Sequence, residues 1–202
     1  VQAGATWRQI QEFIDRYGLS VKVMQSYGNF TVGGSLSVNV HGRYAGLGPI
    51  ISTVRSFRIV LADGSVVTAS PTENAHIFNG AIGGYGGLGV ITEATLQLAD
   101  NVPVRRTRQT MPVTAYGEWF RRTIRDKPGI IFHNADIYPN EYDRVSAVTF
   151  TRTADSVTVP DRLMPRKDSY PAGRWGQTIV TGWPGGKEIR EHVLDPWMYR
   201  GN

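Results

Sequence analysis

Two glycine-rich stretches hold the residues best suited to chemistry. The first is QSYGNFTVGGSLSVNVHG, from Gln25 to Gly42, which combines small residues, the Gly33-Gly34 pair and His41. A short helix after a Gly-Gly turn would leave the first-turn N–H groups of Gly33 and Gly34 exposed, and such a helix start attracts phosphate. A plain turn before a buried helix explains the same residues, and chemistry alone leaves both readings open. His41 sits between Val40 and Gly42, where a small neighbour leaves its ring accessible. An imidazole there can serve as general acid or base or hydrogen-bond a cofactor, or it can simply cap a short helix. The second stretch, GGYGGLG from Gly83 to Gly89, has five glycines in seven residues. Its backbone must adopt positive φ or pass close to something flat or bulky.

Other constellations are absent from the sequence. It has no GxxxxGK[ST], HExxH or GxSxG motif, and no cysteine for a thiolate metal site, a disulfide or a nucleophile. No metal site is expected. GGYGGLG follows a helix pattern and enters a strand, the reverse of the strand-turn-helix order of a dinucleotide-binding fingerprint. His76, among helix-pattern residues, reads as a surface histidine.

The elements that must position these loops are legible from periodicity. VQAGATW reads as a strand, with Thr6 as helix N-cap. WRQIQEFIDRYGL then puts Trp7, Ile10, Phe13, Ile14 and Tyr17 on one core-facing helical side, and Gly18 ends it. VRSFRIVLADGSVVTAS alternates and turns at Asp63-Gly64, a hairpin signal. PTENAHIFNGAIGG is a helix with Thr72 as expected N-cap, and VITEATLQLA is a strand. Past Asp100 come a strand with Arg105, Arg106 and Arg108, a helix with Tyr116, Trp119, Phe120 and Ile124 on its apolar side, and strands at IIFHNADIY and VSAVTFTRT. From Val157 the chain is rich in Pro, Gly and Trp and reads as extended connections. The result is an α+β protein, with an expected boundary between residues 1–100 and 101–202.

Composition bounds the function classes. With 41% hydrophobic and 19% charged residues among 202, the chain can bury a sizeable core. No apolar run is long enough to span a membrane as a helix, and a cytoplasmic location is expected. The net charge of +5 is spread along the chain, which argues against nucleic acid as a partner. A smaller possibility in this composition is anion binding by Arg105, Arg106 and Arg108.

Taken in order, the pieces resemble the FAD-binding domain of the vanillyl-alcohol oxidase, or PCMH-type, flavoprotein family. The carrying features are VQAGATWRQIQEFIDRYGL, the TVGG of Thr31 to Gly34, the N-x-HG of Asn39 to Gly42, the hairpin, the helix ending in IGG and the turn GLGVIT. They run in the family's order from Val1 to about Leu98, and are most similar to the sugar- and polyol-oxidising branch, of the decaprenylphosphoryl-ribose oxidase and alditol oxidase type. The resemblance implies FAD as cofactor and a small alcohol or sugar as substrate. It implies that residues 1–100 are the second subdomain of the FAD-binding domain, and that 101–202 begin an α+β cap or substrate domain. The first FAD subdomain and the rest of the cap would lie elsewhere in a longer protein. By matching position, Ser26, Tyr27, Gly28 and Asn29 would approach the pyrophosphate, with Gly33 and Gly34 supplying helix-start amides. Ser37, Val38, His41 and Gly42 would border the ribityl chain or flavin ring, and Gly89 and Val90 would offer backbone contacts. His41 is the expected residue nearest the reacting face. The contrasting expectation is a cofactor-free binding or structural module that keeps this fold.

Overall fold

A computed structural model describes residues 1–138, 141–163, 175, 176, 178, 180 and 182–198. The chain divides into two compact units, Val1–Asn101 and Val102–Asn202.

In the first unit, helix α1 (Trp7–Asp15) begins as its sequence dictates. The Thr6 hydroxyl accepts from Gln9 N, while Gln9 Oε1 accepts from Thr6 N, a reciprocal capping box that satisfies two orphan amides. The helix ends at Asp15, and Gly18, at φ +68°, turns the chain into strand β1 (Leu19–Val21). Trp7 and Ile14 are buried and Ile10 packs against the core. Phe13 and Tyr17 are each 60% exposed, contrary to the core role expected for them. They lie on the helix flank, where the Arg16 guanidinium covers both rings at 4.6 and 4.9 Å. The expected opening strand is reduced to isolated bridges, Gln2 to Glu93 and Thr6 to Thr31.

Helix α2 (Val32–Ser37) is followed by a 3₁₀ turn, Ile50–Thr53. Strands β2 (Val54–Leu61) and β3 (Val66–Ala69) form the expected hairpin, with Gly64 at φ +83° and Asp63 Oδ1 accepting from Ser65 N. Helix α3 (Ala75–Ala81) starts two residues later than expected: its N-cap is Asn74, in the left-handed region, while Thr72 N bonds the Ser70 hydroxyl. Strand β4 (Gly89–Leu96) completes an antiparallel sheet in the order β3-β2-β4, and β5 (Leu98–Asp100) pairs with β1. The core gathers Trp7, Val23, Val32, Leu36, Ile50, Phe57, Ile59 and Phe78, with Phe57 stacked on Phe78 at 5.6 Å. At its centre Trp7 Nε1 donates to Ser35 Oγ at 2.8 Å, and Ser35 Oγ reaches Thr31 O at 2.8 Å and Gln25 Oε1 at 3.1 Å.

The second unit is an antiparallel sheet in the order β6-β8-β7, from β6 (Val104–Pro112), β7 (Ile130–Ile137) and β8 (Arg144–Arg152), with helix α4 (Val113–Thr123) between β6 and β7. Alternation along β8 sends Val145, Ala147 and Thr149 to the α4 side and Ser146 and Val148 to the other, so this central strand is buried on both faces. On the α4 side His133 bonds Tyr116 Oη through Nε2 at 2.9 Å and Thr149 Oγ1 through Nδ1 at 3.0 Å, and stacks on the Tyr116 ring. Of the stretch expected to be extended, 157–163 has no regular element, but Gly186–Ile189 (α5), a π-helical turn Arg190–Leu194 and Asp195–Met198 (α6) form one helical run. Residues 164–174 lie outside those described. Among the described residues no helix is long and apolar enough to cross a membrane.

Two outcomes follow. Trp7→Phe removes a buried N–H donor and leaves a small void, so urea unfolding should show a loss of about 1–3 kcal/mol, with Ser35→Ala reproducing part of it. Burial holds His133 below its ordinary 6.5. As pH falls past 6.5 the unfolded chain takes up this proton before the native one does, so the second unit should lose stability from about pH 7 downward. Comparing urea midpoints at pH 7.5 and 5.5 checks this; a slope that survives His133→Gln would assign it to another group.

Candidate cofactor site

The Gln25 to Gly42 stretch is laid along the first unit by hydrogen bonds from both sides. The first-turn amides of α1 donate into it, Arg8 N to Gly28 O at 2.6 Å and Trp7 N to Phe30 O at 3.1 Å. This pairing carries Ser26, Tyr27, Gly28 and Asn29 past the start of α1, where Ser26, Tyr27 and Asn29 are exposed. Tyr27, at 70% exposure, meets the Phe30 ring edge-on at 6.2 Å, and Phe30 is itself largely uncovered.

The start of α2 corrects one expectation. Gly33 N donates to Ala3 O at 2.8 Å and Gly34 N to the Thr31 hydroxyl at 3.2 Å, so the two amides read as free for an anion are bonded within the chain. A Cβ on Gly33 would lie 2.9 Å from Ala3 Cβ. This glycine lets the N-terminal segment lie against the helix, and any part it has in a cofactor site is to position neighbours.

The other end of α2 is where the two glycine-rich stretches meet. Gly83 N donates to Leu36 O at 2.9 Å and Tyr85 N to Ser37 O at 3.0 Å, so the second glycine turn supplies the amides that close the helix C-terminus. Asn39 takes positive φ, and its Oδ1 accepts from Ile51 N at 3.2 Å. Val40 N returns to Ser35 O, and Ile50 N to Val40 O. Ser37, Val38, His41 and Gly42 are thereby gathered around one anchored helix end, with Val38 and His41 exposed. Gly42 is required by the fold: a Cβ there would meet Met24 O at 2.2 Å and the Tyr44 ring at 2.7 Å. Burial pushes the Tyr44 phenol up to about 12, opposed by a backbone hydrogen bond with Met24. Tyr44 is a buttress for the His41 loop that sequence reasoning passed over, although an aromatic two residues after the His-Gly pair is a readable signal.

Gly89 opens β4 at φ +152°, with its Cβ position 2.2 Å from Val60 O, and a Cβ on Gly84 would meet Gly80 O at 2.1 Å. These glycines are explained by close approach of the chain to itself. Val90, paired with Val60, remains 69% exposed on the sheet edge beside a shallow depression lined by Gln2, Ala3, Arg58 and Val66. The structure therefore places Ser37, Val38, His41 and Gly42 together. It sets Ser26 to Asn29 beside α1, and Gly89 and Val90 on the sheet.

The exposed groups of these loops are hydroxyls, an amide, a phenol, an imidazole and uncovered apolar side chains, including Tyr27, Val38, Tyr85 and Leu88. That mixture suits a ligand that presents both an apolar surface and hydrogen-bonding groups. Among the described residues no cluster of His, Cys, Asp and Glu could hold a metal ion.

Residues 1–70 match the family model described as an FAD binding domain. The chain is 41% identical over 96 residues to cytokinin dehydrogenase 9 of Oryza sativa subsp. japonica, a match covering 47% of this chain and 18% of that protein. It is 32% identical over 120 residues to D-arabinono-1,4-lactone oxidase of Yarrowia lipolytica, covering 59% and 23%. It is 35% identical over 98 residues to alditol oxidase of a Streptomyces species, covering 48% and 23%. These matches span about a fifth of the length of the relatives. The resemblance to FAD-binding oxidoreductases is borne out, and FAD is the cofactor it carries.

Gly42→Ala should force the Met24–Tyr44 contact apart and displace the neighbouring His41, at a cost of about 1–3 kcal/mol in chemical denaturation. Gly48→Ala, where a Cβ meets nothing within 4 Å, should stay within about 0.5 kcal/mol of the parent.

Proposed function

Starting from an FAD-binding domain at residues 1–70, we propose that this chain is part of an FAD-dependent oxidoreductase that oxidises a CH–OH group of a sugar- or polyol-like alcohol. In this reading Val1–Asn101 is the second subdomain of the FAD-binding domain, and Val102–Asn202 begins the cap. The single observation that carries it is the joining of the two glycine-rich stretches at the end of α2, beside the exposed His41. Alditol oxidase and D-arabinono-1,4-lactone oxidase among the relatives support the alcohol or sugar donor.

When bound, FAD supplies the redox chemistry, accepting hydride from the substrate carbon at its N5. The chain's residues bind and orient. Ser26, Tyr27, Gly28 and Asn29 approach the pyrophosphate, while Gly33 and Gly34 set the position of α2 below them. Ser37, Val38 and Gly42 border the ribityl chain or ring, and Gly89 and Val90 offer backbone and an apolar edge. His41 directs a ring nitrogen at the flavin or the substrate hydroxyl; either use needs an imidazole on a rigid support, which Gly42 and Tyr44 provide. A second reading keeps the cofactor and changes the donor: relatives named cytokinin dehydrogenases, at 41% and 36% identity, favour a cytokinin-like substrate.

The test is expression of the complete reading frame containing this chain. The purified protein should show the usual pair of visible flavin bands, which an alditol or aldonolactone bleaches anaerobically if the leading reading holds; bleaching by a cytokinin alone selects the second. A colourless protein that takes up no FAD would leave the cofactor-free module. His41→Ala should keep the flavin and slow its reduction by about 100-fold.

A further inference from the structure

On the face of the β6-β8-β7 sheet opposite α4, three side chains from different strands converge. Arg108 of β6 donates through Nε to Ser146 Oγ of β8 at 2.8 Å, and through Nη2 to the hydroxyl of Tyr138, the residue following β7, at 2.7 Å. These short bonds hold the guanidinium against β8 and the end of β7. The helical run 186–198 brings Asp195 into the same spot, where Tyr138 Oη donates to Asp195 Oδ2 and Arg108 Nη2 lies 3.4 Å from it. Tyr138, Ser146 and Asp195 are all buried, and burial, followed by the Asp195 hydrogen bond, pushes the Tyr138 phenol up.

Two features distinguish Asp195 from an ordinary structural partner. Its approach to Arg108 is long for a charge-assisted hydrogen bond, which ordinarily lies at about 2.7–2.9 Å. The run that carries it is turned with its polar side inward: Ile189, Val193 and Trp197, spaced four apart, are 40%, 58% and 68% exposed. These three apolar side chains add little burial to the run, and the turn before Asp195 is π-helical, a geometry common at functional positions. Arg190, which lies 3.7 Å from Asp195 and over the Tyr138 ring, belongs to the run itself, and its contact with Asp136 of β7 is a long 4.0 Å.

We propose that Arg108, Tyr138 and Ser146 form a carboxylate-binding cradle on this sheet, and that Asp195 is a tethered occupant which a small-molecule carboxylate displaces. The cradle offers one guanidinium edge and one phenolic O–H, the donor set that a carboxylate accepts. The inference stands on the second unit alone and does not depend on the flavin reading. It also differs from a phosphate patch made of Arg105, Arg106 and Arg108, because strand alternation puts Arg105 on the opposite face, where it pairs with Asp155.

The experiment uses the whole chain, with sodium D-gluconate as probe and sodium chloride at equal ionic strength and neutral sorbitol as controls. Trypsin cleavage after Arg190, followed by mass spectrometry, reads release of the run, and Trp fluorescence gives an independent titration. Gluconate should accelerate cleavage several-fold and saturably, with neither control doing so, and Arg108→Gln should abolish the response. Asp195→Asn should bind gluconate about tenfold more tightly or better, since the internal competitor is gone. Equal cleavage in gluconate and chloride, together with an Asp195→Asn chain that is destabilised and binds no gluconate, would overturn the proposal and make the pair a permanent ion bridge. If Arg108→Gln fails to fold by circular dichroism, the comparison of gluconate with chloride on the unaltered chain decides alone.

Discussion

The hydrogen bond from the Trp7 indole to the Ser35 hydroxyl is the constraint on which the first unit depends. An indole N–H taken wholly out of water needs an acceptor, and a buried serine can provide one only if its own proton also has a destination. Ser35 meets both demands, reaching Thr31 O and Gln25 Oε1. Helix α1, the Gln25 loop and α2 are thus locked through one buried polar node. A helix as short as α2 has little stability of its own, so its direction is imposed by this node and by Val32 and Leu36 in the core. Everything proposed for His41 rests on that direction.

From the same node the second glycine turn acquires its place. The carbonyls at the end of α2 need donors, and the amides of Gly83 and Tyr85 provide them. Positive φ at Gly83, Tyr85 and Gly86 lets the turn fold back far enough to do so. Several glycines that compositional reasoning assigns to ligand approach are spent on the chain's own backbone, most plainly Gly42, Gly84 and Gly89. A glycine-rich loop signals that something comes close. Here what comes close at Gly42, Gly84 and Gly89 is the protein itself.

The second unit separates its polar groups by strand alternation. His133 and Thr149 face α4 and are enclosed by Tyr116, Trp119 and Phe120, whereas Arg108 and Ser146 face the helical run that carries Asp195. One cluster is closed by aromatic packing and hydroxyl partners. The other is closed by a segment held by the Tyr138 hydrogen bond to Asp195 and by longer charge contacts to Arg108 and Asp136.

Local signals were enough to determine much of this protein from sequence. The Thr6 capping box, the Asp63-Gly64 hairpin, the alternation of β2 and β4, and the apolar side of α4 are written in neighbouring residues, because caps, turns and strand faces are decided within a few positions. The ordered set of glycine motifs also pointed to FAD, as the match at residues 1–70 bears out. What tertiary structure alone decided is which partners those residues meet. Phe13 and Tyr17 share a helical pattern with Trp7 yet stay exposed, since the core surface reaches only one side of that stripe. The Gly33 and Gly34 amides have the sequence of an anion site but are taken by Ala3 and Thr31, and Arg108 meets an aspartate 87 residues away. Hydrogen-bond satisfaction is settled by where distant backbone arrives, and no local pattern records that arrival.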